Sequence, residues 1–364
     1  MLLRLIAATP HVEHLVFSLA GPGILSEELR AAGATMLDAE GSRWRDLARL
    51  RRQARRHAPD VVQGWMYHGN IAALLARSAV PRAPTFWNIR QSLTHKRFTK
   101  RTTRALVRIQ ASCSRLPDAI IYNAAAAAND HEAVGFSRAA RVIIPNGFDT
   151  KLFAPDEEAR LSVRAALGLT PDHLAIGLIA RFDPWKNHEG FFAMAERISH
   201  RHPAAAFVLA GKGVDPDNGI IGAMTDRPTL KGRVFLLGDR RDIPAVNAAL
   251  DIACNVSHGE GFPNAVGEAM ACAVPCIVTP VGASEELVGP DGLVARSTQV
   301  DDLVAAVDIV AAMTQSERRT LGANARRRII EHFSIEAVAK RYLTLYATAM
   351  TSRAAINRTT TNFD

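Results

Sequence analysis

Short apolar runs alternate with longer stretches of helical spacing along most of the chain. The clearest runs are residues 14–19, 85–89, 119–122, 174–180 and 252–256. They are four to seven residues long and rich in Val, Ile, Leu and Phe, as expected of strands buried on both faces of a parallel sheet. Between the runs lie segments of helical pattern, including 26–32, 43–57, 243–250 and 335–350. This alternation predicts an α/β fold with parallel strands joined by helices.

The most informative stretch is residues 251–279, DIACNVSHGEGFPNAVGEAMACAVPCIVT. Its pattern is typical of a strand, a glycine loop, a helix that begins after Pro263-Asn264 and a second strand. Two acids mark it: Glu260 in the loop and Glu268 in the second turn of the helix. Loop amides and a helix N-terminus attract an anion, and carboxylates accept hydrogen bonds from sugar hydroxyls. The alternative is that Glu268 is a favourable acid near a helix start and Glu260 a solvated loop charge.

A second candidate lies after the predicted strand 174–180. Arg181 and Lys186 stand five residues apart in one loop, RFDPWKNH. Two cations at a strand end suit a diphosphate, which needs charge and no proton chemistry. Alternatively, Arg181 pairs with a neighbouring acid and Lys186 only starts the next helix.

Weaker signals follow the strand that ends at residue 210. Gly211 opens a G-x-G turn, which by itself is weak evidence for a binding site because such turns are common. Asp215 and Asp217 have a spacing that can hold a metal ion. The surrounding Gly, Pro and Asn residues favour a surface loop, so we expect no metal site.

Length and composition indicate two soluble domains. The chain has 364 residues, 48% of them apolar and 22% charged, which is enough for two cores. No apolar run approaches the ~18–20 residues that span a bilayer, and no signal peptide is recognisable. The four cysteines show no paired spacing, and three lie in apolar segments, so buried reduced thiols and a cytoplasmic setting are expected.

Positive charge is concentrated in the first part of the chain. Residues 1–150 carry 21 Lys and Arg against 11 Asp and Glu, a net of +10. Two basic stretches contribute, 43–57 and 90–108, the second with Phe98 among its cations. They are either solvated helix faces or a patch that binds anionic lipid and a lipid-linked pyrophosphate. Nucleic-acid binding is the weaker alternative, because no recognised motif accompanies the charge.

The two glutamates with GFPN between them, the RFDPWK loop and the IPNGFD segment (144–149) together resemble the retaining glycosyltransferase family 4. The resemblance covers about residues 14–350 and is more specific in the second half. It implies the GT-B fold, in which two Rossmann-like domains face a central cleft. The expected boundaries are 1–145 plus a crossing helix 335–350 for the first, acceptor-side domain, 146–334 for the second, nucleotide-sugar-binding domain, and 351–364 for a disordered tail.

The start of the chain departs from the family pattern. Residues 2–8 have the pattern of the second half of a helix, where the family has a strand and a glycine-rich turn before that helix. We therefore expect the first domain to lack its first strand and glycine loop, through a mis-assigned start or a truncated gene.

The resemblance also implies roles for particular residues. Arg181 and Lys186 would stabilise the charge on the leaving diphosphate, and Glu260 would contact the transferred sugar. Glu268 would bind the ribose hydroxyls of the donor. Further donor contacts are expected from Gly211, Gly261, Phe262, Pro263 and Asn264. The reaction would proceed with retention and without metal or other cofactor.

The first domain of the family often supplies a histidine near the donor sugar. At the strand end where it is expected, this chain reads Trp87-Asn88-Ile89-Arg90. Arg90 could substitute as a cation. His68, in a predicted WMYHGN loop, is the other candidate for contact with sugar or acceptor.

The expected donor is a nucleotide sugar, UDP-linked, and the expected acceptor is a saccharide or lipid-linked saccharide of surface polysaccharide or lipopolysaccharide. The basic first domain suggests a cytoplasmic enzyme, peripheral on the inner face of the cytoplasmic membrane, that does not bind nucleic acid. Two alternatives remain open. The first is a non-catalytic protein that binds nucleotide sugar, and the second is a nucleotide-sugar 2-epimerase of the same architecture.

Overall fold

The computed structural model describes residues 1–19, 21, 23–37, 43–93 and 101–360. The chain forms two compact units. One contains Met1–Gly147 and Ile335–Asp364, and the other contains Phe148–Ser334.

The first unit is an α/β structure whose strands are all parallel. Its helices are α1 (Leu2–Ala8), α2 (Ser26–Ala31), α3 (Arg43–His57), α4 (Met66–Arg77), α5 (Arg101–Cys113) and α6 (Ala125–Ala133). Its strands are β1 (His14–Val16), β2 (Ala34–Met36), β3 (Val62–Trp65), β4 (Thr85–Ile89), β5 (Ala119–Tyr122) and β6 (Arg141–Ile143). Strands β1 and β2 pair with each other, and β3-β4-β5-β6 form a four-stranded sheet in chain order.

Strands β4 and β5 occupy the ranges that the sequence predicts. Every residue of both strands is buried, because helices cover both faces of a parallel sheet. The opening segment Leu2–Ala8 is helical, as predicted, and its Leu5 and Ile6 are buried.

The second unit contains one six-stranded parallel sheet in the order β12-β11-β10-β7-β8-β9. Its strands are β7 (Leu174–Ile179), β8 (Ala205–Ala210), β9 (Val234–Leu236), β10 (Ile252–Asn255), β11 (Cys276–Val278) and β12 (Leu293–Val294). Its helices are α7 (Glu157–Ala166), α8 (His188–Arg201), α9 (Gly219–Thr225), α10 (Ile243–Ala249), α11 (Asn264–Ala271), α12 (Ser284–Val288), α13 (Val300–Ala311) and α14 (Gln315–Arg328). The core beside the sheet is rich in aromatic and branched side chains, including Phe191, Phe192 and Phe207.

The strand order reverses between β7 and β10. From β7 the chain adds β8 and β9 on one side and then returns to add β10, β11 and β12 on the other. The loops that leave the carboxyl ends of β7 and β10 therefore diverge at a topological switch point, where open α/β sheets bind their ligands. These two loops carry the residue pairs Arg181 and Lys186, and Glu260 and Glu268.

A largely buried ion-pair group joins helix α7 to the start of β10. Asp251 accepts from Arg160 Nη2 at 2.6 Å and from Arg164 Nη1 at 3.0 Å. It also accepts from the Ala175 amide of β7 at 2.8 Å. A single carboxylate thus links helix α7 to β7 and β10. It lies at the amino ends of these two strands, opposite the carboxyl ends that form the switch point.

The last helix, α15 (Ile335–Thr360), belongs to the first unit. It is longer than predicted, and the expected disordered tail is wrong for residues 351–360. No Gly or Pro interrupts the segment, and Arg353 donates to both carboxylate oxygens of Asp118, each at 2.8 Å. Residues 361–364 lie outside the described part of the chain.

Candidate functional site

The loop after β7 is built by two side-chain caps. Asp183 Oδ1 accepts from the Trp185 amide at 3.0 Å and starts a single 3-10 turn, Pro184–Lys186. Asn187 then adopts a left-handed conformation, with φ of +53°, and its Oδ1 caps α8 by accepting from the Gly190 amide. Asn187 Nδ2 also donates to the Val256 carbonyl at 3.0 Å, so one side chain ties the β7 loop to the β10 loop.

The structure brings Lys186 and Glu260 together, although they are 74 residues apart in the chain. Lys186 Nζ lies 2.5 Å from Glu260 Oε1. The same oxygen accepts from Ser257 Oγ at 2.7 Å and from Asn255 Nδ2 at 3.1 Å. The Glu260 side chain is only 9% exposed, so the interpretation of Glu260 as a solvated loop charge is wrong. Three donors, one of them charged, compensate for the water that the carboxylate loses.

Sequence reasoning missed Asn255 and Ser257 as partners of Glu260. Ser257 precedes Glu260 by three residues, a spacing at which a hydroxyl can reach a side chain across a turn. This spacing was the sequence signal for the contact. For Asn255 the signal was an amide at the end of an otherwise apolar strand.

Arg181 is held by a neighbouring acid. Its Nε and Nη2 donate to Asp183 Oδ2 at 3.1 and 2.9 Å, while 65% of the Arg181 side chain stays exposed. Burial alone would raise the pKa of Asp183, but the Trp185 amide, Arg181 and Lys186 outweigh burial and lower that pKa below its ordinary value. The acid thus stays charged and orients Arg181 while much of the guanidinium faces solvent.

Helix α11 and the loop before it carry the remaining donor candidates. Phe262 is 7% exposed, and its ring centroid lies 6.1 Å from each of the Phe148 and Phe333 rings. This aromatic contact anchors the loop at the N-terminus of α11, where Pro263 is buried and Asn264 exposed. Glu268 is half-buried in the second turn of α11, as predicted.

Two glycines allow close backbone approach around this loop. At Gly211, which has a φ of +149°, a Cβ atom would lie 2.2 Å from the Ala180 carbonyl oxygen. At Gly282, with a φ of +59°, it would lie 2.3 Å from the Glu260 carbonyl oxygen. The Gly261 carbonyl accepts from the Ala283 amide at 3.1 Å. Gly211 therefore lies beside the start of the Arg181 loop, and Gly282 closes the Glu260 loop from the side.

His188, the first residue of α8, was not predicted as a site residue. It is 3% exposed and lies edge-on to Phe182, with ring centroids 5.3 Å apart. Burial lowers the pKa of its imidazole to about 4, so the ring is neutral at neutral pH.

The predicted WMYHGN loop is wrong. Strand β3 ends at Trp65 and α4 begins at once with Met66, whose φ is +61°. Gly64 permits this turn, because a Cβ there would lie 2.5 Å from Asn70 Cα. His68 is therefore exposed in the first turn of α4, at the carboxyl end of β3.

Arg90 has structural partners within the first unit. It donates to Asn146 Oδ1 at 2.7 Å, to the Ile144 carbonyl at 3.2 Å and to the Tyr342 hydroxyl. Its guanidinium carbon also lies 5.5 Å from the centroid of the Trp65 ring. Arg90 thus ties the end of β4 to the end of β6 and to α15, and its contact with a sugar stays a prediction.

The basic stretches are only partly described. On α3, Arg51, Arg52, Arg55 and Arg56 are exposed. Residues 94–100 of the second stretch, with Phe98, lie outside the described residues. Within the described chain, no helix combines the length and the apolar character that crossing a membrane requires.

The segment that contains Asp215 and Asp217 is a surface loop, as predicted. Asp217 is exposed and Asp215 half-buried in the loop between β8 and α9. In the ranges that the structure covers, no three His, Cys, Asp or Glu side chains are grouped so that they could hold a metal ion.

Three of the four cysteines are buried free thiols, as predicted: Cys254, Cys272 and Cys276. Burial raises the pKa of Cys254 and of Cys272 to about 12. Cys113 is free and partly exposed.

Both halves of the chain match sequence models of known families. Residues 4–152 match the model described as Glycosyltransferase Family 4, and residues 173–312 match the model described as Glycosyl transferases group 1.

Several curated relatives are bacterial glycosyltransferases. The chain is 35% identical over 137 residues to the putative glycosyltransferase EpsF of Bacillus subtilis, a match of 38% of this chain and 35% of the relative. It is 30% identical over 197 residues to the UDP-Gal:alpha-D-GlcNAc-diphosphoundecaprenol alpha-1,3-galactosyltransferase of Escherichia coli (53% and 50%). It is 30% identical over 214 residues to the lipopolysaccharide core biosynthesis mannosyltransferase LpsB of Rhizobium meliloti (57% and 61%). The matches span about a third to three-fifths of the length of these relatives.

Solved structures share the fold over nearly the whole chain. Anabaena HepE in complex with UDP and glucose superposes with a TM-score of 0.80 at 20% identity, covering 95% of each chain. Sucrose-phosphate synthase from Thermosynechococcus elongatus superposes with a TM-score of 0.77 at 19% identity, covering 96% of this chain and 92% of that one. With both halves matched by family models and Rossmann-like parallel α/β structure in each unit, the chain belongs to the group 1, family 4 glycosyltransferases and has the GT-B fold.

Proposed function

We propose that this protein is a retaining glycosyltransferase that transfers a sugar from a UDP-linked donor to a saccharide or lipid-linked saccharide. The observation that carries the proposal is the contact of Lys186 with Glu260 at the switch point between β7 and β10. It joins a cation suited to a diphosphate with a carboxylate suited to sugar hydroxyls. The names of the relatives support the donor and acceptor classes, since one uses UDP-Gal and acts on a diphosphoundecaprenol-linked sugar.

The donor would lie across the loops that leave β7 and β10. Arg181, with 65% of its side chain exposed, and Lys186 would face the diphosphate. As the bond between the anomeric carbon and the phosphate oxygen breaks, its electron pair goes to the diphosphate. Two fixed cations stabilise that developing charge more than they stabilise the bound donor, which lowers the barrier.

Glu260 would accept hydrogen bonds from hydroxyls of the transferred sugar. Its position is set before the donor binds, because Lys186, Ser257 and Asn255 already hold one of its oxygens. Glu268 would bind the ribose hydroxyls from the second turn of α11, with backbone contacts from Gly261, Phe262, Pro263, Asn264 and Gly211. The acceptor hydroxyl would attack the face that the diphosphate leaves and pass its proton to the leaving phosphate oxygen. Attack on that face gives retention.

The first unit would supply the acceptor side. His68 is exposed at the start of α4, on the carboxyl edge of the sheet, where it could contact the sugar or the acceptor. Arg90 remains a candidate for the same contact. Undiminished transfer by an Arg90→Ala variant would exclude Arg90 as a contact for the sugar or the acceptor.

A lipid-linked acceptor places the reaction at a membrane. The exposed arginines of α3 favour an anionic surface. We propose that the protein works as a peripheral enzyme on the inner face of the cytoplasmic membrane, in polysaccharide or lipopolysaccharide synthesis.

The first test is the thermal stability of the purified protein with UDP, GDP and ADP, together with hydrolysis of UDP-sugars. A ligand that binds only the folded state raises the melting temperature. We expect UDP to stabilise the protein, Glu268→Ala to abolish that stabilisation, and a UDP-sugar to be hydrolysed slowly.

Each other result changes the conclusion. Stabilisation by GDP or ADP alone would contradict the UDP donor. Stabilisation without turnover of any tested nucleotide sugar would indicate a non-catalytic binding protein.

A further inference from the structure

We infer that Asn255 is a positioning residue that enables the site to distinguish a nucleotide sugar from the bare nucleotide, acting through Glu260 and not by touching substrate. The inference rests on the proposed function, in which Glu260 contacts the transferred sugar.

Asn255 is the last residue of β10 and holds two parts of the loop at once. Its Nδ2 donates to Glu260 Oε1 at 3.1 Å, and its Oδ1 lies 3.3 Å from the Ser257 amide nitrogen, from which it accepts. One planar amide therefore sets both the turn out of the strand and the position of the carboxylate three residues beyond that turn.

The place of Asn255 in the sheet makes that geometry rigid. The residue is 6% exposed and lies in register with Val278 of the neighbouring β11. Its carbonyl accepts from the Thr279 amide at 3.0 Å. Its side chain thus starts from backbone that is fixed by ladder hydrogen bonds.

An amide is a poor choice for a buried strand end unless its hydrogen bonds are needed. The preceding residues of β10, Ile252, Ala253 and Cys254, are apolar and buried. Asn is depleted in strands, and a buried amide without partners costs free energy. The hydrogen bonds to Glu260 and to the Ser257 amide account for an amide at this position.

Lys186 cannot hold Glu260 alone in the proposed reaction. When a diphosphate binds, the Lys186 ammonium group donates to the phosphate oxygens as well, and its interaction with Glu260 weakens. Asn255 and Ser257 are neutral and buried, with 6% and 1% exposure. They keep their hydrogen bonds to Oε1 during that exchange and leave the carboxylate in place for the sugar.

The test compares the affinities for UDP and for UDP-glucose by titration calorimetry in the wild type and in Asn255→Leu. Leucine keeps the branched outline of the side chain, is somewhat larger, and removes both the donor to Glu260 and the acceptor for the Ser257 amide. One hydrogen bond to a charged group corresponds to about a tenfold change in affinity. We expect Asn255→Leu to bind UDP-glucose about tenfold more weakly and UDP within about twofold of the wild type. Retained UDP binding also shows that the variant is folded.

Asn247→Leu is the matched control. Asn247 is a fully buried asparagine of α10, and neither polar atom of its side chain has a hydrogen-bond partner in the described part of the chain. We expect this variant to leave the ratio of the two affinities unchanged. An equal change of the ratio in both variants would assign the effect to packing and overturn the inference.

A double variant tests the route through Glu260. In a Glu260→Ala background, Asn255→Leu should change the affinity ratio no further, because the group that it positions is absent. A further tenfold loss there, or an unchanged ratio in Asn255→Leu alone, would overturn the inference. If the wild type binds neither UDP nor any UDP-sugar, the proposed function fails instead, and the two failures are distinguishable.

Discussion

At the residue scale, the site is organised by charge pairs that differ in burial. Lys186 and Glu260 are largely buried, with side-chain exposures of 20% and 9%, whereas the pair of Arg181 and Asp183 has exposures of 65% and 22%. Buried pairs are costly to break because one charge is left without compensation, while exposed pairs contribute little to stability. The two cations of the site should therefore respond differently to substitution.

We expect Lys186→Ala to lower both stability and transfer. Leaving the Glu260 carboxylate without its charged partner should cost about 1–3 kcal/mol in the free energy of unfolding. In the proposed mechanism Lys186 faces the leaving diphosphate, so its loss should reduce kcat by about 100-fold or more. Urea unfolding and donor turnover measure the two effects.

Arg181→Ala is the matched control for that variant. Its pair is exposed, so the free energy of unfolding should fall by less than about 1 kcal/mol, while kcat should still fall. Equal losses of stability in the two variants would contradict the difference in burial. Unchanged turnover in Lys186→Ala would remove Lys186 from the mechanism.

His188 should make stability depend on pH. Its pKa is lowered from 6.5 to about 4 by burial, so the folded state binds its proton less readily than the unfolded state. The stability that depends on the neutral ring is complete above about pH 6.5 and is lost as the pH falls toward 4. The difference between the two pKa values corresponds to about 3 kcal/mol.

We expect His188→Gln to flatten this dependence. The free energy of unfolding in urea, measured between pH 7.5 and pH 4.5, should fall less steeply in the variant than in the wild type. His258→Gln, which changes an exposed histidine of the neighbouring loop, should keep the wild-type slope. A slope unaltered by His188→Gln would show that other groups cause the acid sensitivity.

At the scale of elements, helices and strands whose apolar pattern continues over several residues were predicted well. Helix α3 and strands β4 and β5 have the predicted bounds, because a continuous apolar face or run has few alternative registers. The turn from β3 to α4 was predicted wrongly. It depends on Met66 in a left-handed conformation and on a close approach at Gly64, neither of which has a side-chain signature.

The ion pairs of Asp251 with Arg160 and Arg164 attach helix α7 to the sheet, and they give a prediction at the scale of elements. Asp251→Asn keeps the shape of the side chain but leaves Arg160 and Arg164 without a carboxylate, and the Arg164 side chain is only 5% exposed. We expect a loss of about 3 kcal/mol in the free energy of unfolding. Urea denaturation measures it.

Asp308→Asn serves as the comparison. Asp308 pairs with Arg201, whose side chain is 52% exposed. Its substitution should cost less than about 1 kcal/mol. Equal costs in the two variants would contradict a structural role for the buried group around Asp251.

At the scale of the whole molecule, the excess of positive charge in residues 1–150 bears on the binding partners and not on the fold. Arg52 and Arg56 lie one helical turn apart and are both exposed on α3. Each arginine near an anionic surface contributes about 1 kcal/mol of binding. We expect the double variant Arg52→Gln with Arg56→Gln to bind phosphatidylglycerol vesicles about 30-fold more weakly than the wild type, as measured by sedimentation with the vesicles.

A second double variant removes the same charge elsewhere. Arg319 and Arg327 are exposed on α14, in the second unit. Arg319→Gln with Arg327→Gln should leave vesicle binding within about twofold of the wild type. Equal losses in both double variants, or equal binding to neutral vesicles, would show that α3 is not the membrane-binding surface.

The alternation of elements and the chemistry of the loops follow from the order of residues along the chain. Strands buried on both faces are largely apolar, so they can be recognised from the sequence alone. The Arg181 loop and the two glutamates were recognisable from residue types and spacing, and so was the family resemblance that both family models now support.

Which of these groups come into contact depends on the folded chain. Lys186 reaches Glu260 across 74 residues of chain because the strand order reverses between β7 and β10 and the two loops leave the same edge of the sheet. The hydrogen bond from Asn255 to Glu260 depends on the turn after β10, and the partners of Arg90 depend on the return of α15 to the first unit. Contacts between residues distant in the chain follow from strand order and backbone geometry, and neither is encoded in the local pattern of apolar and polar positions.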